Sequence, residues 1–167
     1  MDIEVFPDGT ASAAGRTFAV SLGRAGMVVD KREGDGGTPV GCWPLRRLLY
    51  RPDRLAAPAC ALPVTALARD DGWCDASDHP AYNRPVTLPF AASHEAMWRD
   101  DHLYDLVVVV GHNDDPPVAG RGSAIFLHLK RPDEGPTAGC VGFEREDLLW
   151  LLARLSADSR LIVHAGG

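Results

Sequence analysis

A chain of 167 residues is long enough to bury a core and to form one domain. Its 46% hydrophobic and 24% charged residues are typical of a soluble globular protein, and its net charge of −6 argues against a nucleic-acid partner. No apolar run reaches the roughly 18 residues of a membrane span. The 17 glycines and 13 prolines favour β structure connected by turns over a helix bundle.

The first third of the chain predicts short strands and turns. Residues 3–6 and 16–22 form a starting hairpin or meander, and the apolar residues 27–29 follow a glycine-containing loop. Residues 31–41 are too polar and too rich in glycine to be a core element. Residues 42–50 then return as a strand.

The middle of the chain, residues 51–89, predicts irregular structure because six prolines interrupt it. Within it, residues 62–67 are compatible with an edge strand, the usual place for a proline in a sheet. A long loop in a compact domain is usually functional or disordered. A mixture of aromatic and polar side chains indicates that this one is ordered and functional: Trp73, Tyr82, Asn83 and Arg84.

The last part of the chain alternates helix and strand patterns. Residues 93–99 predict a short helix capped by the serine at its start. Residues 106–110 are continuously apolar and β-branched, which predicts a buried strand, and residues 123–129 predict a second one. Residues 144–155 carry leucines at helical spacing with acids in the first turn, and residues 160–164 predict a final strand.

The most informative pattern for function is a cysteine and a histidine twelve residues apart. Cys140 follows the small residues Ala138 and Gly139, and His128 ends an apolar run. Thiol acyl transfer needs a sulfur held as thiolate and a base that exchanges protons near neutral pH. The backbone N–H groups of Gly139, Ala138 and Cys140 are candidates to bind the oxyanion. The alternative is a buried structural cysteine beside an unrelated histidine.

Two separated motifs resemble the L,D-transpeptidase catalytic domain, also called the YkuD-like domain. Residues 38–41 (Thr-Pro-Val-Gly) are similar to the family's Thr-Pro-x-Gly stretch. His128 with residues 137–140 (Thr-Ala-Gly-Cys) is similar to the family's histidine followed by Ser/Thr-His-Gly-Cys. The order of the two motifs and the long segment between them extend the resemblance over residues 28–163.

The resemblance implies a mainly β sandwich or barrel with a few helices, folded as a single domain over residues 1–167. It implies that Cys140 is the nucleophile, that His128 is the general base and acid, and that no metal or organic cofactor is needed. The implied substrates are peptidoglycan stem peptides, which are cross-linked by transpeptidation or hydrolysed when water is the acceptor. We expect a monomer.

The resemblance also implies a place in the periplasm or cell envelope, since its substrates lie outside the cytoplasmic membrane. The first residues are acidic and no apolar segment follows them, so no export signal is visible in this sequence. The four cysteines include no CxxC pair, which indicates neither a zinc ribbon nor a disulfide framework.

Three departures from the family pattern bear on the site, and one of them is an interval from His128 to Cys140 that is shorter than in many members. Ala138 replaces the family's histidine before Gly-Cys, and Gly142 replaces its arginine two residues after the cysteine. The missing arginine is expected to order the site and the substrate, so another cation must replace it, and Arg84, Arg131 and Arg121 are the candidates. The departures keep two alternatives open: a peptidase or amidase that hydrolyses stem peptides, and an inactive module that binds the cell wall.

Further side chains are candidates for substrate contact. His112 and Asn113 follow the valine strand, where an Asx-type turn is an equally good interpretation. Arg84 offers a bidentate fork for a carboxylate, although its segment is also explained as a loop packed by its own aromatic residue. A metal held by His112, Asp114, His128 and Cys140 is conceivable, but the spacing matches no closed site. The predicted substrate-binding set is Arg84, Asn83, Tyr82, His112, Asn113, Thr137 and Arg131.

Overall fold

Fourteen strands and one helix follow one another along residues 1–166, the part of the chain that the computed structural model describes. Their order is β1 (Ile3–Phe6), β2 (Thr10–Ala13), β3 (Arg16–Ala19), β4 (Met27–Val28), β5 (Thr38–Pro39), β6 (Gly41–Tyr50), β7 (Val64–Ala66), β8 (Asp71–Cys74), β9 (Pro85–Thr87), β10 (His94–Ala96), β11 (Leu106–Val110), β12 (Phe126–Leu129), β13 (Val141–Phe143), α1 (Arg145–Leu152) and β14 (Arg160–Val163).

The main sheet is organised around β6, the longest strand. The strands lie in the order β13-β12-β11-β6-β14-β1-β2-β3, and β7 pairs with β6 beside this path. β11 and β14 pair with β6 in antiparallel fashion along its two halves. The valines of β11 are buried on both faces of the sheet, which explains why this segment is continuously apolar instead of alternating.

The two edges of this sheet meet and nearly close it into a barrel. Just beyond β3, the backbone N–H of Ser21 donates to the carbonyl of Gly142 in β13, and the N–H of Gly142 donates back, each over 2.9 Å. This exchange satisfies backbone groups that an open edge would leave unpaired. The segment around Ser21 is thereby held against the chain that carries Cys140.

Apolar side chains pack on both faces of the barrel wall. Leu106, Val108 and Val110 face the main core with α1 and β1, whereas Val107 and Val109 face a second cluster. The second cluster is covered by a small sheet with the strand order β10-β8-β9. Two-residue alternation along β12 places Phe126 and His128 on this second face, so the candidate site lies there.

The predicted mainly β fold in a single domain is confirmed, and most of the predicted strands are present. The predicted helix over residues 144–155 is present over the shorter range of α1, eight residues, and no helix among the described residues is suited to crossing a membrane. The prediction of a helix over residues 93–99 is wrong. This segment contains β10, because His94, Glu95 and Ala96 pair with Cys74, Trp73 and Gly72 of β8.

The prediction of irregular chain over residues 51–89 is also wrong in part. The strands β8 and β9 form there without having been predicted, whereas β7 lies within the edge strand predicted over residues 62–67, and the segment is ordered as predicted. Pro85 occurs in β9 at an edge of the small sheet, where a missing N–H leaves no sheet bond unmade. Residues 38–39, predicted to be loop, form a short strand, and Thr38 is fully buried.

Candidate active site

Cys140 lies directly before β13 with its sulfur enclosed by backbone groups. The thiol donates to the carbonyl of Ala124 over 3.2 Å, and the backbone N–H of Phe126 donates to the sulfur over 3.3 Å. Burial raises the pKa of the Cys140 thiol to about 12, with a further contribution from the negative charge of Glu95. The resting nucleophile is therefore a neutral thiol.

The loop before the cysteine is held by a hydroxyl and by close glycine contacts. The hydroxyl of Thr137 donates to the carbonyl of Cys140 over 2.7 Å and accepts from the N–H of Gly139 over 3.0 Å. Gly139 has a φ of +136°, and a Cβ there would lie 2.7 Å from the carbonyl oxygen of Gly37. Glycine is therefore required for the close approach of the two loops.

This geometry changes the set of oxyanion donors. The N–H of Gly139, one of the predicted donors, is already bonded to Thr137. The N–H groups of Ala138 and Cys140 have no acceptor within residues 1–166. These two groups are the donors that remain available for an oxyanion.

His128 is held in β12 with one ring nitrogen bonded to the backbone. Its Nδ1 is 2.7 Å from the carbonyl oxygen of Leu129, so Nδ1 carries the proton and Nε2 presents a lone pair. Burial lowers the pKa of His128, which keeps the imidazole neutral at pH 7. Nothing within residues 1–166 is hydrogen-bonded to Nε2, and no hydrogen bond joins the imidazole to the thiol.

The imidazole and the thiol line the same cleft, whose volume is ≈ 340 Å³. A partly buried acidic wall lies beside them. The hydroxyl of Tyr104 donates to Glu95 over 2.9 Å, and the Tyr104 ring is 5.5 Å from the His128 ring. Burial raises the pKa of Glu95. One carboxylate oxygen of Asp75, which also lines the cleft, is buried without a partner among the described residues.

Four cationic side chains line this cleft, and three of them are paired with acids. Lys31 contacts Asp35, Arg99 contacts Asp101, and Arg131 contacts Asp133. The fourth is Arg24, and no carboxylate within residues 1–166 pairs with it.

Arg24 is fixed from both ends. Its backbone N–H donates to the carbonyl of Thr137 over 2.9 Å, which links it to the loop of Cys140. Its side chain lies over Gly36, where a Cβ would be 2.6 Å from the guanidinium carbon. Its Nη2 donates to the carbonyl of Gly34 over 3.4 Å, so a guanidinium without an acidic partner is held at the cleft beside the cysteine loop.

Gly142, where the family resemblance implies an arginine, leaves little room for a side chain. A Cβ at Gly142 would lie 3.2 Å from the Cβ of Ser21 and 3.5 Å from Lys130, because the closing strands approach each other there. The three cations proposed from the sequence are divided among different places. Arg131 lines the cleft, whereas Arg84 lines another cavity and Arg121 pairs with Asp30 over 2.6 Å.

Tyr82 and Asn83 lie behind the cleft and support its wall. The Tyr82 hydroxyl donates to Glu33 over 2.7 Å and accepts from the N–H of Gly122, and its pKa is raised to about 12, chiefly by burial. The side-chain oxygen of Asn83 accepts from the N–H of Ala124, the residue whose carbonyl receives the thiol proton. Asn83 therefore positions the surroundings of Cys140 without lining the cleft.

His112 and Asn113 also lie outside the cleft. Asn113 has a φ of +51°, and its side chain bonds the backbone of Val118 and Gly122, so it holds its own turn. His112 is buried with its ring edge-on to Trp43 and lines a third cavity. Of the predicted substrate-binding residues, the structure brings only Thr137 and Arg131 to the cleft of Cys140 and His128.

The sequence interpretation missed Arg24, Glu95 and Tyr104. Arg24 stands in a glycine-containing segment without any local motif, and Glu95 was assigned to a helix. The pairing of β10 with β8 brings Glu95 to the cleft, where it accepts from the hydroxyl of Tyr104, and the bond from Arg24 to Thr137 brings Arg24 there.

The thiols and acids of the described residues do not gather into a metal centre. No three histidine, cysteine or acidic side chains within residues 1–166 come close enough to hold an ion. The four cysteines are all free thiols: Cys42, Cys60, Cys74 and Cys140.

A nearly closed β barrel with a cysteine and a histidine in one cleft is an arrangement suited to a cysteine-dependent acyltransferase. The family model described as the L,D-transpeptidase catalytic domain (YkuD) matches residues 3–163, nearly the whole chain. The chain belongs to this family, as its two motifs predicted. Neither the curated proteins nor the solved structures contain a match.

Proposed function

We propose that this protein is a cysteine-dependent L,D-transpeptidase that cross-links peptidoglycan stem peptides. The observation that supports this most directly is the lone pair of His128 Nε2 in the same cleft as the Cys140 thiol, on the fold of that family. The geometry supplies a base with a fixed tautomer and a nucleophile that lines the same cleft.

In the first step the thiol leaves the carbonyl of Ala124 and turns to His128. Nε2 takes the thiol proton as the sulfur attacks a stem-peptide carbonyl, and a C–S bond forms while the carbonyl oxygen becomes an oxyanion. The free N–H groups of Ala138 and Cys140 bind that oxyanion. The C–N bond then breaks, the proton on Nε2 passes to the leaving amine, and a thioester remains on Cys140.

In the second step an acceptor amine attacks the thioester. Nε2 takes a proton from the amine, the new C–N bond forms, and the thiolate leaves and recovers that proton. The bond of Nδ1 to Leu129 keeps the imidazole in the same tautomer throughout both steps. No acidic side chain is needed to orient the ring.

Arg24 supplies the cation that Gly142 does not. Stem peptides carry free carboxylates, and an arginine that lacks an acidic partner binds a carboxylate in bidentate fashion. Arg24 is held beside the loop of Cys140, which places such a carboxylate near the reacting carbonyl. Thr137 and Arg131 complete the proposed substrate contacts, and we propose a monomeric enzyme of the periplasm or cell envelope.

The buried, neutral thiol favours one alternative, an inactive module that binds the cell wall, because no contact to His128 activates it at rest. A hydrolase would use the same two residues with water as acceptor. Intact mass spectrometry with peptidoglycan fragments of defined stem length separates the three.

A cross-linked dimer, together with a covalent adduct that is absent from Cys140→Ala, supports transpeptidation. Trimmed monomers alone indicate the hydrolase. Unchanged fragments, with binding retained in both proteins, indicate the inactive module. His128→Ala is expected to form neither dimer nor adduct.

A further inference from the structure

A second cavity of ≈ 340 Å³ lies on the other side of the wall that supports Cys140. Three arginines line it, Arg46, Arg47 and Arg84, together with a single acid, Asp114. This local excess of positive charge is unexpected in a chain with a net charge of −6, because acidic side chains are available to pair with most of the arginines. The proposed transpeptidase chemistry does not use this cavity.

A β-bulge in β6 brings two adjacent arginines to the same cavity. Val109 pairs with Arg47, but Val110 pairs with Leu45, so Arg46 is an extra residue in the ladder. In a regular strand Arg46 and Arg47 would point to opposite faces. Here Leu45 and Leu48 both enter the main core, and the two arginines between them both line the cavity.

One of the three arginines is already neutralised. Asp114 contacts Arg46 through two hydrogen bonds, 2.9 Å to Nε and 3.0 Å to Nη2. The absence of a side chain at Gly111 makes room for this pair, since a Cβ there would lie 2.6 Å from Nε. Asp114 also raises the pKa of Arg46, with a smaller contribution from Asp115.

The other two arginines keep their charge uncompensated. Neither Arg47 nor Arg84 has a carboxylate within ion-pair distance among residues 1–166, which is unlike most arginines of this chain. Apolar surface from Trp73 and Ile125 forms part of the cavity wall. The cavity therefore combines an apolar wall with two free guanidinium groups, the composition of a site for a small anion.

This cavity and the cleft of Cys140 are separate spaces that lie on the two sides of one wall. Asn83 lines the cavity, and its side-chain oxygen accepts from both the Trp73 indole and the N–H of Ala124. Ala124 lines the cleft, while its neighbour Ile125 lines the cavity. The Trp73 indole is therefore a reporter group within the cavity wall.

We propose that this cavity is a second binding site, specific for an oxyanion, which Arg47 and Arg84 hold by charge-assisted hydrogen bonds. The shared chemistry is a carboxylate or a phosphate group on a small ligand. Arg46 is paired with Asp114, so it forms part of the cavity wall but contributes less positive charge than Arg47 and Arg84 do. The site is independent of the acyl-transfer chemistry at Cys140.

The test is a titration of the full chain with inorganic phosphate and, separately, with glutarate, at constant ionic strength set by chloride. The indole N–H resonance of Trp73 is followed by ¹H–¹⁵N NMR. Saturable shifts with phosphate indicate a phosphate ligand, and saturable shifts with glutarate alone indicate a carboxylate ligand. We expect Arg47→Gln/Arg84→Gln to bind at least about tenfold more weakly, because each charge-assisted bond contributes substantially.

Two controls make the result decisive. Arg131→Gln removes an exposed arginine of the other cleft and is expected to bind as the wild type does. Arg84→Gln alone alters an exposed side chain and is expected to weaken binding severalfold if the double variant does not fold. The proposal is overturned by the lack of a saturable shift with either anion, by equal affinity in the arginine variants, or by weaker binding in Arg131→Gln.

Discussion

Ser21 and Gly142 exchange two backbone hydrogen bonds of 2.9 Å where the edges of the main sheet meet. A Cβ on Gly142 would lie 3.2 Å from the Cβ of Ser21, which is a tight contact. The position at which the family resemblance implies an arginine is thus occupied by a contact that closes the barrel.

Placing an arginine at position 142 should therefore destabilise the folded protein. We expect Gly142→Arg to lower the free energy of unfolding by about 2 kcal/mol or more, since overpacking of a tight contact forces the backbone apart. Gly142→Ala should cost less, because only one methyl group must fit. Urea unfolding measures both, and a variant as stable as the wild type would contradict this role of the closing contact.

The carboxylate of Glu95 should restrain the reactivity of Cys140. Its negative charge contributes to the raised pKa of the thiol, so Glu95→Gln is expected to lower that pKa. A shift of one unit increases the thiolate fraction about tenfold below the pKa, and we expect iodoacetamide to label Cys140 about threefold to tenfold faster at pH 8. Cys140→Ala identifies labelling at the other three cysteines. An unchanged rate would show that Glu95 does not act on the thiol.

Thr137 should matter for the shape of the nucleophile loop. Thr137→Val removes the bonds to the Cys140 carbonyl and the Gly139 N–H while keeping the shape of the side chain. We expect a loss of about 1–2 kcal/mol in the free energy of unfolding and a lower rate of acyl transfer. Thr137→Ser retains the hydroxyl and should behave almost as the wild type. Equal rates in the valine and serine variants would show that the hydroxyl does not position Cys140.

Arg24 should discriminate between charged and amidated stem peptides. We expect Arg24→Gln to reduce kcat/KM about tenfold or more for a peptide with a free carboxylate, since a hydrogen bond between charged groups is worth about 1.5–3 kcal/mol. The same variant should change turnover of the amidated peptide little. An equal loss on both peptides would mean that Arg24 only supports the loop through its backbone.

His112 should make stability depend on pH on the acidic side. Burial, followed by the charge of Lys31, lowers its pKa from 6.5 to about 4, so the unfolded chain binds a proton there before the folded protein does. The free energy of unfolding should therefore decrease as the pH falls from about 6.5 to about 4. His128, whose pKa is also lowered, contributes in the same direction.

We expect His112→Phe to show a shallower decrease over this pH range. The variant removes the titrating group and a buried Nδ1 that has no hydrogen-bond partner among the described residues, and it keeps a ring against Trp43. Urea unfolding at pH 7, 5.5 and 4.5 measures the slope. Identical slopes in the two proteins would contradict the assignment to His112.

Local patterns in the sequence were sufficient for several features. The valines of β11 predicted a buried strand, and the leucines of residues 144–155 predicted α1, because each pattern reports burial within a single element. Cys140 and His128 were identified because their chemistry and the two motifs resemble a known family, to which the chain belongs.

Other residues were misplaced because long-range pairing decides where they lie. Residues 93–99 have a short pattern compatible with a helix, but pairing with β8 makes part of them a strand and brings Glu95 to the cleft. Arg84 was predicted to contact substrate, but it lines the other cavity. The bulge at Arg46 is not visible in the alternation of apolar and polar residues along the sequence.

The sequence by itself determined the β-rich fold, the buried valine strand and the two residues proposed to carry out the chemistry, since these depend on composition, periodicity and local motifs. Only the tertiary structure decided which cations and acids surround Cys140, that Gly142 lies in the contact that closes the barrel, and where Arg84 lies. The reason is physical: side chains far apart in the chain meet only when the sheet closes, and no local pattern records that contact.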